Sequence, residues 1–414
     1  MKTDIDLMLA PSGEQKINWA TSYMPLLHSI RAQFEQTRPF AGMRIAMSIH
    51  LEAKTACLAL TLRAGGAEVW VTGCNPLSTQ DDVAAALVSR GFSVSARHGA
   101  SAKEYESHLV EALSCRPHLM IDDGGDFTNL LHHECAHLAS DLIGGCEETT
   151  TGIRRLRARE AQGCLAFPMI SVNDADCKHL FDNRYGTGQS TMTAVMQTTN
   201  LSIASRTIVV AGYGWCGRGI AMRAHGMGAR VIITEVNPVK AIEAAMDGFS
   251  VMTMDDAAPQ GDVFITATGC HDVIIRRHLE RMHDGAILCN SGHFDVEISK
   301  DDLEAVSTRI FERKPSITGY ELPDGRILNL LAQGRLVNLA AGMGHPIEIM
   351  DMSFAIQARC LEFLAQEGAS LKKALYPVPA VIDQAIASLK LASMGLSIDH
   401  LTPEQTRYLS ACEG

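Results

Sequence analysis

Short β-branched and aliphatic runs alternate with stretches of helical apolar spacing along most of the chain. In the first half the strand-like runs are Met43–Ile49, Glu68–Thr72, Phe92–Ala96 and His118–Ile121, and helical patterns at Lys54–Ala64, Gln80–Ser89 and Ala102–Ser114 separate them. Apolar strands joined by helices predict an open parallel sheet covered on both faces. The alternation then resumes. Thr207–Val210, Val231–Thr234, Val263–Thr266 and Ala286–Cys289 predict a second sheet of the same kind. Ile347–Ala365 again has helical spacing, and Val378–Glu413 reads as amphipathic helix plus loop. The expectation is an α/β chain with two doubly wound parallel-sheet domains and a helical C-terminal arm.

Within the second unit, Gly212-Tyr213-Gly214-Trp215-Cys216-Gly217 lies between a buried strand and a helical pattern, and the next strand ends at Glu235. Strand, glycine turn, helix, strand and acid in this order form the dinucleotide fingerprint, so a Rossmann-like domain is expected. Gly212 allows the tight turn, Gly214 lets backbone approach a pyrophosphate, and Gly217 lets helix pack on strand. The free amides at the helix start favour the pyrophosphate charge. A carboxylate at Glu235 accepts from both adenosine ribose hydroxyls and repels a 2′-phosphate, which selects NAD over NADP.

Ligands of open α/β sheets bind beyond the carboxyl ends of the strands. In the first unit those positions hold His50, Asn75 and the run Asp122-Asp123-Gly124-Gly125-Asp126. Lys178 and Asp182 are four apart, so on a helix they share a face at the junction of the two units, where a cleft would form. A surface ion pair is the plainer reading of such a pair. His133-Glu134-Cys135-Ala136-His137 has the HExxH spacing of zinc peptidases. It lacks a downstream third ligand and the following segment turns polar at once. An exposed histidine-rich helix is expected there, and no metal.

Charge excludes some partners. With 36 basic and 47 acidic residues the formal charge is −11, and no Lys/Arg cluster suggests nucleic-acid binding. No apolar stretch approaches the ~20 residues of a membrane span, and the opening residues lack a basic leader segment. Twelve cysteines without CxxC pairs predict reduced thiols and a cytoplasmic location.

The ordered motifs Asn75-Pro76-Leu77-Ser78-Thr79-Gln80-Asp81, Asp122–Asp126, Glu147-Glu148-Thr149-Thr150-Thr151-Gly152, Phe181-Asp182-Asn183, the glycine fingerprint, Gly292-His293-Phe294-Asp295, Gly334–Leu339 and Gly344-His345-Pro346 resemble the S-adenosyl-L-homocysteine hydrolase family. That resemblance implies a substrate domain at residues 1–182 and 346–378 with an inserted NAD domain at 183–345. It further implies an oligomerisation arm at 379–414, a homotetramer, and hinges near Asp182-Asn183 and Gly344-His345-Pro346. The implied reaction uses tightly held NAD to oxidise the ribose 3′-carbon, eliminates the thiol, adds water and returns the hydride.

By motif, Lys178 and Asp182 would activate the 3′-hydroxyl and Glu148 would grip the ribose diol. For Lys178 to act as a base its pKa must fall, which burial near the nicotinamide cation would favour. His50 and Asp123 would handle the C4′ proton, the leaving sulfur and the water, with His293 holding the nucleoside. Glu52, Lys54, Thr55 and His345 would meet the base. Thr149, Thr150, Thr151, Asn183, Trp215, Cys216, Thr268, Gly269, Ser291, Gly292 and Asn338 would join Gly212, Gly214, Gly217 and Glu235 around NAD.

Two departures matter. Glu52 and Lys54 stand where the longer branch of the family has threonine and glutamate, so adenosine and inosine both remain open as the nucleoside. Leu409-Ser410-Ala411-Cys412-Glu413-Gly414 lacks the terminal lysine-tyrosine extension that reaches a partner's cofactor. A nucleoside dehydratase and a non-catalytic NAD-binding regulator are the remaining alternatives.

Overall fold

The computed structural model describes residues 5–411. Fifteen strands among them form two sheets. The first sheet takes β1 (Arg44–Ser48), β2 (Glu68–Thr72), β3 (Ser93–Val94), β4 (Leu119–Asp122), β5 (Gly144–Glu147) and β6 (Met169–Ser171). The second takes β7 (Thr207–Ala211), β8 (Arg230–Thr234), β9 (Ser250–Val251), β10 (Val263–Thr266), β11 (Ile287–Asn290), β12 (Arg309–Lys314), β13 (Ile317–Glu321) and β14 (Ile327–Leu331). The chain then returns, and β15 (Leu375–Pro377) pairs with β6 to complete the first sheet.

Both sheets repeat one topology. Their orders are β3-β2-β1-β4-β5-β6-β15 and β9-β8-β7-β10-β11-β14-β13-β12. Each reverses direction between its first and fourth strands, which is where such sheets open a ligand crevice. The first sheet is parallel throughout. The second is mixed, because β12 and β13 pair antiparallel with each other and with β14. The parallel-sheet expectation missed this hairpin; the side chains of β12 are almost all solvent-exposed and give no buried-strand signal.

The helices that position the site are α1 (Ala53–Ala64), α2 (Thr150–Ala161), α3 (Thr187–Thr199), α4 (Trp215–Gly226), α5 (Ile347–Glu367), α6 (Ala380–Ser393) and α7 (Pro403–Ser410). Glu52 caps α1 by accepting from the Lys54 amide, and Thr149 caps α2 by accepting from the Gly152 amide. In α5 a wide apolar face (Met352, Phe354, Ala355, Ile356, Ala358, Leu361) packs into the core beneath the first sheet. Helix α6 docks on the same lobe through the fully buried Ile386. Its Asp383 carboxylate accepts from the amides of Asp176 and Cys177 at 2.9 and 3.0 Å, just before Lys178. Among the described residues no helix is long and apolar enough to cross a membrane. The described cysteines are all free thiols.

Two local expectations need correction. His179–Gly186 is π-helical, not a regular α-helix, so Lys178 reaches Asn183 as well as Asp182. The HExxH stretch is exposed as expected but is not one helix. A helix over Asp126–His132 ends at His133 (φ −129°, ψ −107°), and His137 belongs to a separate 3-10 turn at Ala136–Asp141. The two histidines therefore do not share a helical face.

Candidate active site

The ends of both sheets face one cavity of about 980 Å³. Every site residue expected from sequence lines it except Gly217, whose part is packing. A Cβ on Gly217 would lie 1.9 Å from the Gly212 carbonyl oxygen, so only glycine lets α4 start this close to β7.

On the second sheet glycine turns bring backbone to the wall. Gly212 has φ +94°, and Gly214 begins α4 in extended conformation. At the end of β8 the Glu235 carboxylate accepts from the amides of Tyr213, Val236 and Asn237 at 2.7, 2.7 and 2.9 Å. Although burial opposes it, these amides and nearby Lys240 hold Glu235 below the usual carboxylate range. The Thr268-Gly269 turn is fixed by Glu297, which sequence reasoning missed; its carboxylate accepts from both amides and from the Thr268 hydroxyl. Ser291 pairs with Thr191 at 2.8 Å. Cys216 accepts from the Thr187 hydroxyl, and the exposed Trp215 stacks on His179.

The cradle fits NAD on an independent observation. Asn338 lines the cavity and donates to Ser190, yet its Oδ1 is buried without a partner. A buried acceptor of this kind requires a donor, and a nicotinamide carboxamide supplies one.

On the first sheet the wall is built from buried titratable groups. Lys178 lies 2.8 Å from Asn183 Oδ1, 3.2 Å from Glu148 Oε1 and 3.2 Å from Asp182 Oδ2. Asp182 accepts from His345 Nδ1 at 2.6 Å and from the Ser353 hydroxyl at 2.7 Å, while Glu148 accepts from Gln357 at 2.5 Å. The pair is thus a buried network, not the surface ion pair of the plainer reading. Burial lowers the Lys178 pKa, but Asp182 and Glu148 reverse this and raise it above the ordinary lysine value. Among the protein's own groups, two buried carboxylates outweigh desolvation. Burial pushes Glu148 up to about 7, against the pull of Lys178. Asp182 is held below its usual range: burial raises it, but Lys178 and His345 outweigh that.

Across the cavity His50 follows β1 and Asp123 follows β4. His50 Nε2 is 3.7 Å from Asp123 Oδ2, and His293 Nδ1 is 3.9 Å from Asp123 Oδ1. Burial, then charge interactions with His345, Lys54 and Lys178, push His50 down to about 3 against the pull of Asp182, so it is a neutral imidazole at physiological pH. Burial raises Asp123 and lowers His293. A Cβ on Gly124 would stand 2.4 Å from His293 Nε2, which requires glycine beneath that ring.

At the third edge Lys54 Nζ is 3.1 Å from Glu52 Oε2 and donates to the Met343 carbonyl at 3.1 Å. The Thr55 hydroxyl donates to the His50 carbonyl, so it orients His50 and has no free proton for a ligand. The hydroxyl of Thr149 is likewise used locally, on Glu147, and that of Thr150 accepts from Asn173.

Sequence reasoning also missed Ser353, Gln357 and Arg155. Ser353 and Gln357 are buried polar residues one turn apart in an apolar helix, and that anomaly is the signal that would have found them. Arg155 donates to the Gly124 carbonyl at 2.9 Å and lies 4.7 Å from the Phe294 ring, while Arg154 donates to the carbonyls of Thr268 and Gly269. Consecutive arginines on α2 thereby tie the two lobes together.

The model for the S-adenosyl-L-homocysteine hydrolase family matches residues 3–142, and that for the NAD binding domain of S-adenosyl-L-homocysteine hydrolase matches residues 183–344. The adenosylhomocysteinase of Thermococcus kodakarensis is 55% identical over 99% of this chain and 97% of its own length. The S-inosyl-L-homocysteine hydrolase of Methanopyrus kandleri is 54% identical over 99% and 96%. The adenosylhomocysteinase of Thermotoga maritima is 53% identical over 96% and 98%. The chain is an NAD-binding enzyme and belongs to the S-adenosyl-L-homocysteine hydrolase family.

Proposed function

We propose that this chain reversibly hydrolyses S-adenosyl-L-homocysteine to adenosine and L-homocysteine. The observation that carries the reading is the buried Lys178–Asp182–Glu148 cluster facing the NAD cradle across one cavity. A carbon–sulfur bond at C5′ has no carbonyl to attack, so direct displacement by water is slow. Bound NAD supplies the reversible two-electron oxidation at C3′ that makes the C4′ proton acidic.

The chain's own groups do the rest. Lys178, kept as an ammonium, and Asp182 bind O3′ and fix its direction. The O3′ proton enters the Lys178–Glu148 pair, in which Glu148, near 7, has an open site at neutral pH. His50, a neutral acceptor, takes the C4′ proton. Asp123, with its pKa raised, delivers a proton to the departing sulfur and takes one from the incoming water. His345 and Ser353 hold Asp182 in place, and Arg154 and Arg155 keep the lobes closed and water out.

A second reading is favoured by one observation. Glu52 Oε2 accepts from the amide and pairs with the ammonium of Lys54, and Lys54 spends another N–H on Met343. An ammonium has three donors, so one remains for a 6-oxo group, which would suit S-inosyl-L-homocysteine. Thiol release measured separately on the S-adenosyl and S-inosyl substrates decides. Faster release from the adenosyl compound supports the first reading, faster release from the inosyl compound the second, and release from neither contradicts both.

The proposal includes a cytoplasmic homotetramer. Leu396, Ile398, Leu401, Tyr408 and Leu409 lie beyond α6 with their side chains exposed, an apolar strip suited to a second copy. Light scattering that gives a monomer mass would overturn this part.

A further inference from the structure

The search for metal ligands ends away from the HExxH stretch. Among the described residues the one group of His, Cys, Asp or Glu close enough to share an ion is His50, Cys74 and Asp123, whose ligand atoms lie within 4.8 Å of one another. The Cys74 thiol donates to Asp123 Oδ2 at 3.2 Å, and His50 Nε2 is 3.7 Å from the same oxygen. Zinc–sulfur bonds of about 2.3 Å and zinc–nitrogen or –oxygen bonds of about 2.0 Å give tetrahedral edges of about 3.3 to 3.6 Å. The two contacts to Asp123 Oδ2 are therefore close to tetrahedral edges, and the third separation lies within 4.8 Å.

The surroundings orient each donor. The Ser78 hydroxyl donates to the Asn75 carbonyl at 3.0 Å, so it accepts from His50 Nδ1–H at 2.6 Å. The lone pair of His50 then sits on Nε2, facing Cys74 and Asp123, as for a metal-bound histidine whose other nitrogen is hydrogen-bonded. Tyr105 fixes the Cys74 carbonyl at 2.9 Å. Asp123 is 2% exposed, and its Oδ1 is buried with no hydrogen-bond partner. That oxygen lies 3.9 Å from His293 Nδ1, while Oδ2 faces Cys74 and His50, so the carboxylate keeps acceptor capacity for a ligand.

We propose that His50 Nε2, Cys74 Sγ and Asp123 form an inhibitory binding site for a thiophilic divalent cation, Zn²⁺ or Co²⁺, inside the reaction cavity. One nitrogen, one sulfur and one oxygen suit these ions over Mg²⁺ or Ca²⁺. On binding, the Cys74 S–H bond breaks, its proton leaves to solvent, and metal–sulfur, metal–nitrogen and metal–oxygen bonds form. Nothing is oxidised or reduced. The ion occupies the lone pairs of His50 and Asp123, so turnover stops while it is bound, and chelation restores it.

The test uses holoenzyme in which the exposed Cys164 and Cys270 are replaced by serine, so that they contribute no thiolate. Co²⁺ alone is titrated in, and the thiolate-to-cobalt charge-transfer absorption is read with the bound stoichiometry. One ion per chain with this band is expected. Cys74→Ser in the same background loses the band and binds about 100-fold more weakly. Cofactor content and circular dichroism report whether that variant is folded, and Cys74→Ala serves if it is not. His133→Ala/His137→Ala keeps the band, and saturating adenosine suppresses it. Within each variant, the ratio of thiol release with and without Zn²⁺ falls in the Cys74-containing protein and stays near one in Cys74→Ser. Absence of the band in the Cys74-containing protein, its survival in Cys74→Ser, its loss in the His133/His137 variant, or binding indifferent to adenosine would each overturn the assignment.

Discussion

The two sheets share a strand order and open their crevices at equivalent strands, yet they furnish those crevices by opposite means. The second sheet brings backbone turns to the cavity, held by glycines that let backbone meet backbone and by two carboxylates, Glu235 and Glu297, anchored on amides. The first presents Lys178, Asp182, Glu148, Asp123 and His50, each buried or nearly so, with protonation shifted by burial and by neighbours. A backbone cradle binds without changing its charge; a cluster of buried titratable groups moves protons. One topology thus serves as a holder on one side and as an acid–base device on the other.

The comparison breaks first at Gly217. Replacement by valine drives a side chain into the Gly212 carbonyl, with no flexible partner to yield. The expected cost is about 4 kcal/mol or more, seen as protein recovered without cofactor and with a lower unfolding midpoint. Glu148→Gln should do the reverse: cofactor content stays near wild type while turnover falls about 10³-fold. The wild-type profile should show an acid limb near pH 7 that the variant lacks. Stability follows the same group. Because the folded pKa of Glu148 is raised, the native state binds the extra proton, and its contribution is lost as pH rises from about 4.5 towards 7. Glu148→Gln should flatten that part of the denaturation-midpoint profile. The smallest effect is expected at the clasp. Arg155→Met removes the contact to Phe294 and the bond to Gly124, worth about 1 kcal/mol, and should slow turnover less than tenfold with cofactor retained.

The two sides also differed in how much their sequence disclosed. The backbone cradle was legible because a glycine spacing, a strand and an acid are local features within about 24 residues. On the acid–base side strand ends marked His50 and Asp123 and a four-residue spacing paired Lys178 with Asp182, but Glu148 joined them only by motif, because it lies on a separate element that the fold brings close. Their supports were hidden for a further reason. Ser353 and Gln357 come from α5, after the whole second sheet, and no local pattern pairs a residue near 353 with one near 182. The lysine's raised pKa was equally invisible, since it depends on two carboxylates converging within 3.2 Å. The β12–β13 hairpin escaped because exposed strands carry little periodic apolar signal.

The central claim is that Lys178 acts on the 3′-hydroxyl across from a cofactor it does not hold. Purified wild-type protein and Lys178→Ala, both with cofactor bound, are mixed with adenosine, and reduced nicotinamide is followed by its absorbance. The account predicts rapid partial reduction in the wild type and reduction at least about 10³-fold slower in the variant at equal cofactor content. Reduction at the wild-type rate in Lys178→Ala would contradict it.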